Sequence, residues 1–162
     1  MGVRESSSQC LVNICSSSST FSPYFSPFSP FSPIILDVKF TAFSRHRKNP
    51  IVLDINDPFT ILDAKIYKKH PIFFITHGFL EYGGAWWIKL LVEELLIYDK
   101  HATVIVVDWR GGSSPPYYQS VANIRLVGAI VAHMISSIFE ELKLENLDNL
   151  HLIGHSLGKG RG

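Results

Sequence analysis

Apolar and polar positions follow two rhythms along most of this chain. Ile72-Phe73-Phe74-Ile75-Thr76 and Ala102–Val107 are almost unbroken apolar runs, as expected of strands covered on both faces. Leu150–Ile153, entered through Asn149, predicts a third short buried strand. Between these runs the spacing changes to three and four. Trp87, Ile88, Leu91, Val92 and Leu95 line one face of a predicted helix over about Ala85–Tyr98, with Lys89, Glu93 and Glu94 off that face. Ile124, Val127, Val131, Met134, Ile135, Ile138 and Leu142 form the stripe of a longer helix, about Tyr118–Leu142. Upstream, the alternation of Val38, Phe40 and Ala42 predicts a strand over Ile34–Phe43. Asn49-Pro50 marks a turn, and Ile51–Ile55 reads as an antiparallel partner strand. Phe59–Lys69 carries no pattern that assigns a structure.

Strand, helix, strand, helix, strand is the order of an α/β domain, a mostly parallel sheet with flanking helices. In such sheets ligand chemistry gathers at the carboxyl ends of the strands. Three loops leave such ends, His77–Gly84, Asp108–Pro116 and Gly154–Gly158, and are expected on one rim.

Residues 1–33 break the pattern. A Ser-rich stretch leads into Phe-Ser-Pro units at a period of three, ending at Phe31-Ser32-Pro33. Proline at that density excludes helix and removes ladder donors. The expectation is a disordered, partly polyproline-II tail over 1–33 and one globular unit over 34–162. The apolar stretch around Cys10–Cys15 is interrupted by Asn13, so no secretory signal is readable. No run of 18 or more apolar residues occurs, so no membrane span is expected, and Leu126–Phe139 reads as part of a core helix.

Composition changes little in this picture. Apolar residues make up 46% and charged residues 18%, which excludes a wholly disordered chain. A formal net charge of +1 gives no field to attract nucleic acid. Cys10 and Cys15 lie in the tail without nearby histidines, and no histidine pair has zinc-ligand spacing joined to further ligands, so neither a metal nor another cofactor is expected.

The chemistry concentrates at the end of the third strand. Gly154-His155-Ser156-Leu157-Gly158 is G-x-S-x-G, the nucleophile elbow of α/β-hydrolases. Ser156 would sit on a sharp strand-to-helix turn that presents its hydroxyl, and side chains at Gly154 and Gly158 would obstruct that turn.

With this motif in place, four blocks together resemble the pancreatic lipase family: Ile75-Thr76-His77-Gly78-Phe79, Val107-Asp108-Trp109-Arg110-Gly111-Gly112-Ser113, Asn123-Ile124-Arg125-Leu126-Val127-Gly128 and the elbow. They stand in that family's order over roughly Leu36–Gly158. The resemblance implies a partial α/β-hydrolase fold, truncated after the nucleophile strand, and a lipid carboxylic ester hydrolase of triacylglycerol lipase or phospholipase A1 type. It implies Ser156 as nucleophile, with the backbone N–H groups of Phe79 and Leu157 as the oxyanion hole. It also implies a triglyceride or phospholipid substrate and an extracellular location. It leaves a colipase-type partner undefined. The family continues in a helix where this chain reads Lys159-Gly160-Arg161-Gly162.

A serine hydrolase needs a base and an orienting acid, which in this fold follow the serine. None of the six residues after Ser156 is Asp, Glu or His. Among earlier residues, Asp108 reads as an anchor of its own loop and His77 as a residue shaping the oxyanion loop. His155 diverges from Ser156 in a tight turn, and His133 and His151 read as structural. The chain alone is therefore expected to be inactive, as a fragment of an enzyme. The alternative is a non-catalytic lipid- or partner-binding protein derived from the fold. A third reading, an interaction protein acting through the Phe-Ser-Pro segment, rests on that repeat alone.

Overall fold

A computed structural model describes residues 28–159. The Ser-rich stretch and the first Phe-Ser-Pro units, residues 1–27, lie outside the described residues. The sheet has five strands: β1 (Lys39–Phe43), β2 (Ile51–Leu53), β3 (Ile72–Thr76), β4 (Thr103–Asp108) and β5 (Leu150–Gly154). Their order is β2-β1-β4-β3-β5. The central strands are parallel, with Thr76 opposite both Val107 of β4 and Gly154 of β5. β1 runs antiparallel to β4 and to β2. This is the mixed, mostly parallel α/β sheet that the apolar runs predicted.

Alternation along the strands supplies both layers. Phe73 and Ile75 of β3, with Val104 and Val106 of β4, pack against Ile88 and Val92 of helix α3 (Trp86–Tyr98). The residues between them, Ile72, Phe74, Ile105 and Val107, pack on the other face against Met134 and Ile138 of helix α4 (Tyr117–Leu142). The chain goes from β3 through α3 to β4 on one side, then through α4 back across to β5 on the other. The sheet direction therefore reverses at β3, and the crevice for ligands opens beside that strand's carboxyl end. By length and composition α4 is apolar enough to cross a bilayer, but here it lies along the sheet, with seven residues buried.

Two local expectations change, and one stretch without an assignment gains structure. Ile34–Leu36 is not strand but part of the one-turn helix α1 (Pro33–Leu36). Pro33 sits at its first position, where a missing N–H costs nothing. Burial of Leu36 against Trp109 and Val127 outweighs the strand preference of an isolated apolar triplet. The stretch after Asp57 contains a short helix, α2 (Pro58–Asp63), capped by the Asp57 carboxylate accepting from the Phe59 N–H at 3.1 Å. β5 is not buried: it is an edge strand, and Leu152 is 66% exposed.

Residues 28–32, read from the sequence as the end of the tail, lie against α4. Phe28 stacks on Tyr118 at 4.3 Å between ring centres. The Phe31 N–H donates to Asn123 Oδ1 at 2.8 Å, and Gln119 donates to the Ser29 carbonyl at 2.9 Å.

Candidate active site

β5 ends in a sharp turn. The His155 N–H donates to the Thr76 carbonyl at 3.0 Å, which prolongs the β3–β5 pairing by one bond. Ser156 follows at φ 54°, in the left-handed region that side chains other than glycine's avoid. The cost is about 1–2 kcal/mol, which surrounding structure must hold. A 3₁₀ turn, Ser156–Lys159, follows where the sequence suggested a helix start, closed by Gly158 N–H to the His155 carbonyl at 2.8 Å. Ser156 is exposed. A Cβ on Gly158 would stand 2.5 Å from the Thr76 oxygen and 2.6 Å from that of His77. Gly158 is thus required by close approach to the end of β3 rather than by the elbow's own turn. Gly154 is the last residue of β5, opposite Thr76.

The loop after β3 crosses directly over this elbow. A Cβ on Gly78 would fall 2.9 Å from Ser156 Cβ and 3.0 Å from the His155 oxygen. Leu80, also left-handed at φ 61°, donates its N–H to the Ser113 carbonyl at 2.8 Å. Between them lies Phe79, half-buried, its ring edge-on to Tyr117 at 5.1 Å. Among the described residues no hydrogen bond takes the Phe79 N–H. Leu157 is the second residue of the 3₁₀ turn, where N–H groups have no partner inside the helix.

Glu81, which the sequence reading passed over, holds these pieces. Its Oε2 accepts from the Gly78 N–H at 2.8 Å and lies 2.9 Å from His155 Nδ1. Its Oε1 accepts from the Trp87 indole at 2.9 Å. Burial pushes the Glu81 carboxyl up, but the bonds from Gly78, His155 and Trp87 outweigh it and hold the group below its ordinary value.

Behind the loop stands a buried frame. His77 and Trp109 are both 0% exposed, their rings stacked at 5.5 Å. The Trp109 indole donates to the His77 carbonyl at 2.8 Å, and the Trp109 N–H donates to His77 Nε2 at 3.0 Å. The His77 proton then sits on Nδ1, which donates to the Gly78 carbonyl at 3.0 Å. Asp108 Oδ1 lies 3.1 Å from the same Nε2 and accepts the Arg110 N–H at 3.1 Å. Burial raises the Asp108 carboxyl, but its polar neighbours, the Arg110 and Gly83 N–H groups among them, pull it down to about 2. Asp108 thus ties the start of its own loop, and His77 holds the Gly78 peptide that follows β3. Ser113 is buried, its hydroxyl donating to the Glu81 carbonyl at 3.3 Å.

All seven histidines lie among the described residues, and none hydrogen-bonds the Ser156 hydroxyl. His155 turns to Glu81 and to Trp87, 5.3 Å between rings. His151 stacks on Phe73 at 4.9 Å, and His133 is exposed on α4. The arrangement can present a hydroxyl beside free N–H groups. Among the described residues it places no general base. A cavity of about 410 Å³ opens between α4 and β5, lined by Phe74, Val127, Val131, Leu152 and Gly158.

Known proteins of one family are similar to this chain. The sequence model of the lipase family matches residues 16–160. Pancreatic triacylglycerol lipase of Sus scrofa is 34% identical over 123 residues, covering 76% of this chain and 27% of the relative. Pancreatic lipase-related protein 2 of Myocastor coypus is 33% identical over 124 residues, covering 76% and 26%. Inactive pancreatic lipase-related protein 1 of Homo sapiens is also 33% identical, over 124 residues with the same coverage. The chain spans about a quarter of the length of these curated relatives.

Proposed function

The chain belongs to the pancreatic lipase family, and from that premise we propose that it is the nucleophile-bearing part of a serine hydrolase of lipid esters. Ser156 is the nucleophile in this reading, and the N–H groups of Phe79 and Leu157 receive the oxyanion. Gly154, His155 and Gly158 shape the elbow. The observation that carries the reading is the strained Ser156 at φ 54°, with Gly78 pressed against its Cβ. Strain of this kind persists where a hydroxyl must stand clear of the backbone, and here the neighbouring residue is the candidate oxyanion donor. The substrate is a triglyceride or phospholipid ester and the location extracellular, both carried over from the resemblance. The globular unit is the N-terminal part of the hydrolase domain. α4 is a sheet-packing helix in this reading, not a span.

Among the described residues no base faces Ser156, so this chain by itself is expected to retain only what oxyanion hole and binding supply, several orders of magnitude below an intact triad. A second reading, a non-catalytic lipid- or partner-binding protein, is supported by one fact. A relative named as inactive matches as well as the active ones do, so membership alone does not carry activity. A fluorophosphonate probe separates the two when this chain is joined to the downstream part of a lipase-family hydrolase domain, which supplies the Asp and His. Covalent labelling mapped to Ser156, and abolished by Ser156→Ala, is expected. Labelling at Ser113 or Ser114, or none after prolonged exposure, would sink the hydrolase reading.

A further inference from the structure

We propose that Glu81 is a positioning residue that locks the oxyanion loop onto the elbow; this rests on the hydrolase reading above. The two donors assigned to the oxyanion come from different strands. Phe79 follows β3, and Leu157 follows β5. They serve one oxygen atom only if the two loops keep a fixed spacing, and donors act over about 2.7–3.1 Å. Backbone ties the loops before the elbow, through the His155 N–H to the Thr76 carbonyl. Beyond that bond, Gly78 has no side chain of its own to hold the loop, and its peptide groups are held instead. Its N–H goes to the Glu81 carboxylate at 2.8 Å. Its carbonyl accepts the His77 Nδ1–H at 3.0 Å and the Glu81 N–H at 3.3 Å.

That grip has a directional consequence. In a trans peptide the C=O and N–H point opposite ways. Holding the Gly78 carbonyl toward His77 and Glu81 turns the Phe79 N–H of the same peptide away from both. The same carboxylate reaches His155 at 2.9 Å on the elbow and the Trp87 indole at 2.9 Å on α3. One side chain therefore joins oxyanion loop, elbow and helix. A carboxylate so near a developing oxyanion would otherwise oppose it; here its charge is occupied by three donors.

The test uses this chain joined to the downstream part of the hydrolase domain, which supplies the base, and follows phosphonylation of Ser156 by a fluorophosphonate at several concentrations. Glu81→Ala is expected to lower the rate constant at saturating probe about tenfold, part of what losing a whole oxyanion donor costs. The half-saturating concentration and the final labelled fraction should stay unchanged. Glu81→Gln, which keeps one acceptor oxygen, should recover part of the rate. An unchanged or faster rate in Glu81→Ala, or a loss confined to the final labelled fraction, overturns the proposal. Backbone amide NMR, run without probe, separates this from the parent reading. Shifted Phe79 and Leu157 resonances in Glu81→Ala, with no labelling of wild-type Ser156, sink the hydrolase reading and leave the clamp. Wild-type labelling without amide shifts in the variant sinks the clamp and leaves the reading.

Discussion

Where β3 and β4 end, His77 and Trp109 are fully buried and hydrogen-bonded to each other twice. One strand away, where β5 ends, His155 and Ser156 are exposed, and their side-chain tie to the rest of the rim is the Glu81 carboxylate. The two regions are neighbours in one parallel sheet, yet physical chemistry has arranged them in opposite ways. On the β4 side, polar groups removed from water are paired almost completely, because an unpaired buried donor costs about 1–3 kcal/mol. On the β5 side, among the described residues, a hydroxyl is exposed on a strained backbone. The difference teaches which half of the rim is paired within these residues and which half holds strain without such pairing.

Trp109→Ala attacks the paired half and should have the largest effect. The ring is fully buried among Leu36 and Val127. Its loss is expected to cost about 3–5 kcal/mol, read as a lower denaturant midpoint. A cost under about 1 kcal/mol would mean that the frame is not one.

Acid tests the same half more gently. Asp108 is held at about 2, below its ordinary value of 3.8. A depressed carboxyl stabilises the fold above its unfolded-state value. That contribution is lost as pH falls from about 4 through about 2, and amounts to about 2 kcal/mol. Asp108→Asn should remove this segment of the pH–stability profile. A profile below pH 4 with the wild-type slope would show that Asp108 is not held by the frame.

Leu152→Thr, on the β5 side, should have the smallest effect, within about 0.5 kcal/mol in thermal or denaturant unfolding. Leu152 is 66% exposed and gives up little burial. A loss of about 2 kcal/mol would show that something covers the β5 edge in solution, and would erase the contrast.

Much of this was legible before any coordinates. β3, β4, α3 and α4 lie within a residue or two of where periodicity puts them, because each buries its apolar set against whatever faces it. The elbow was legible through Gly158 and Ser156, since that spacing of small residues around serine suits few backbones. Ile34–Leu36 was misread because three apolar residues satisfy strand and helix alike. Pro33 just before them was the available signal. Glu81 gave no signal at all. An acidic residue in a glycine-rich loop reads as solvated, and its decisive partner, His155, is 74 positions away.

Local spacing by itself determined the elements, the α/β layering and the candidate nucleophile, because those follow from interactions within a few residues and from the two faces of each strand. Only the tertiary structure decided that Gly158 answers to β3 and that Glu81 joins three elements. Each of these depends on which distant segments come within 3 Å, and a hydrogen bond of that reach leaves no period in the sequence for a reader to find.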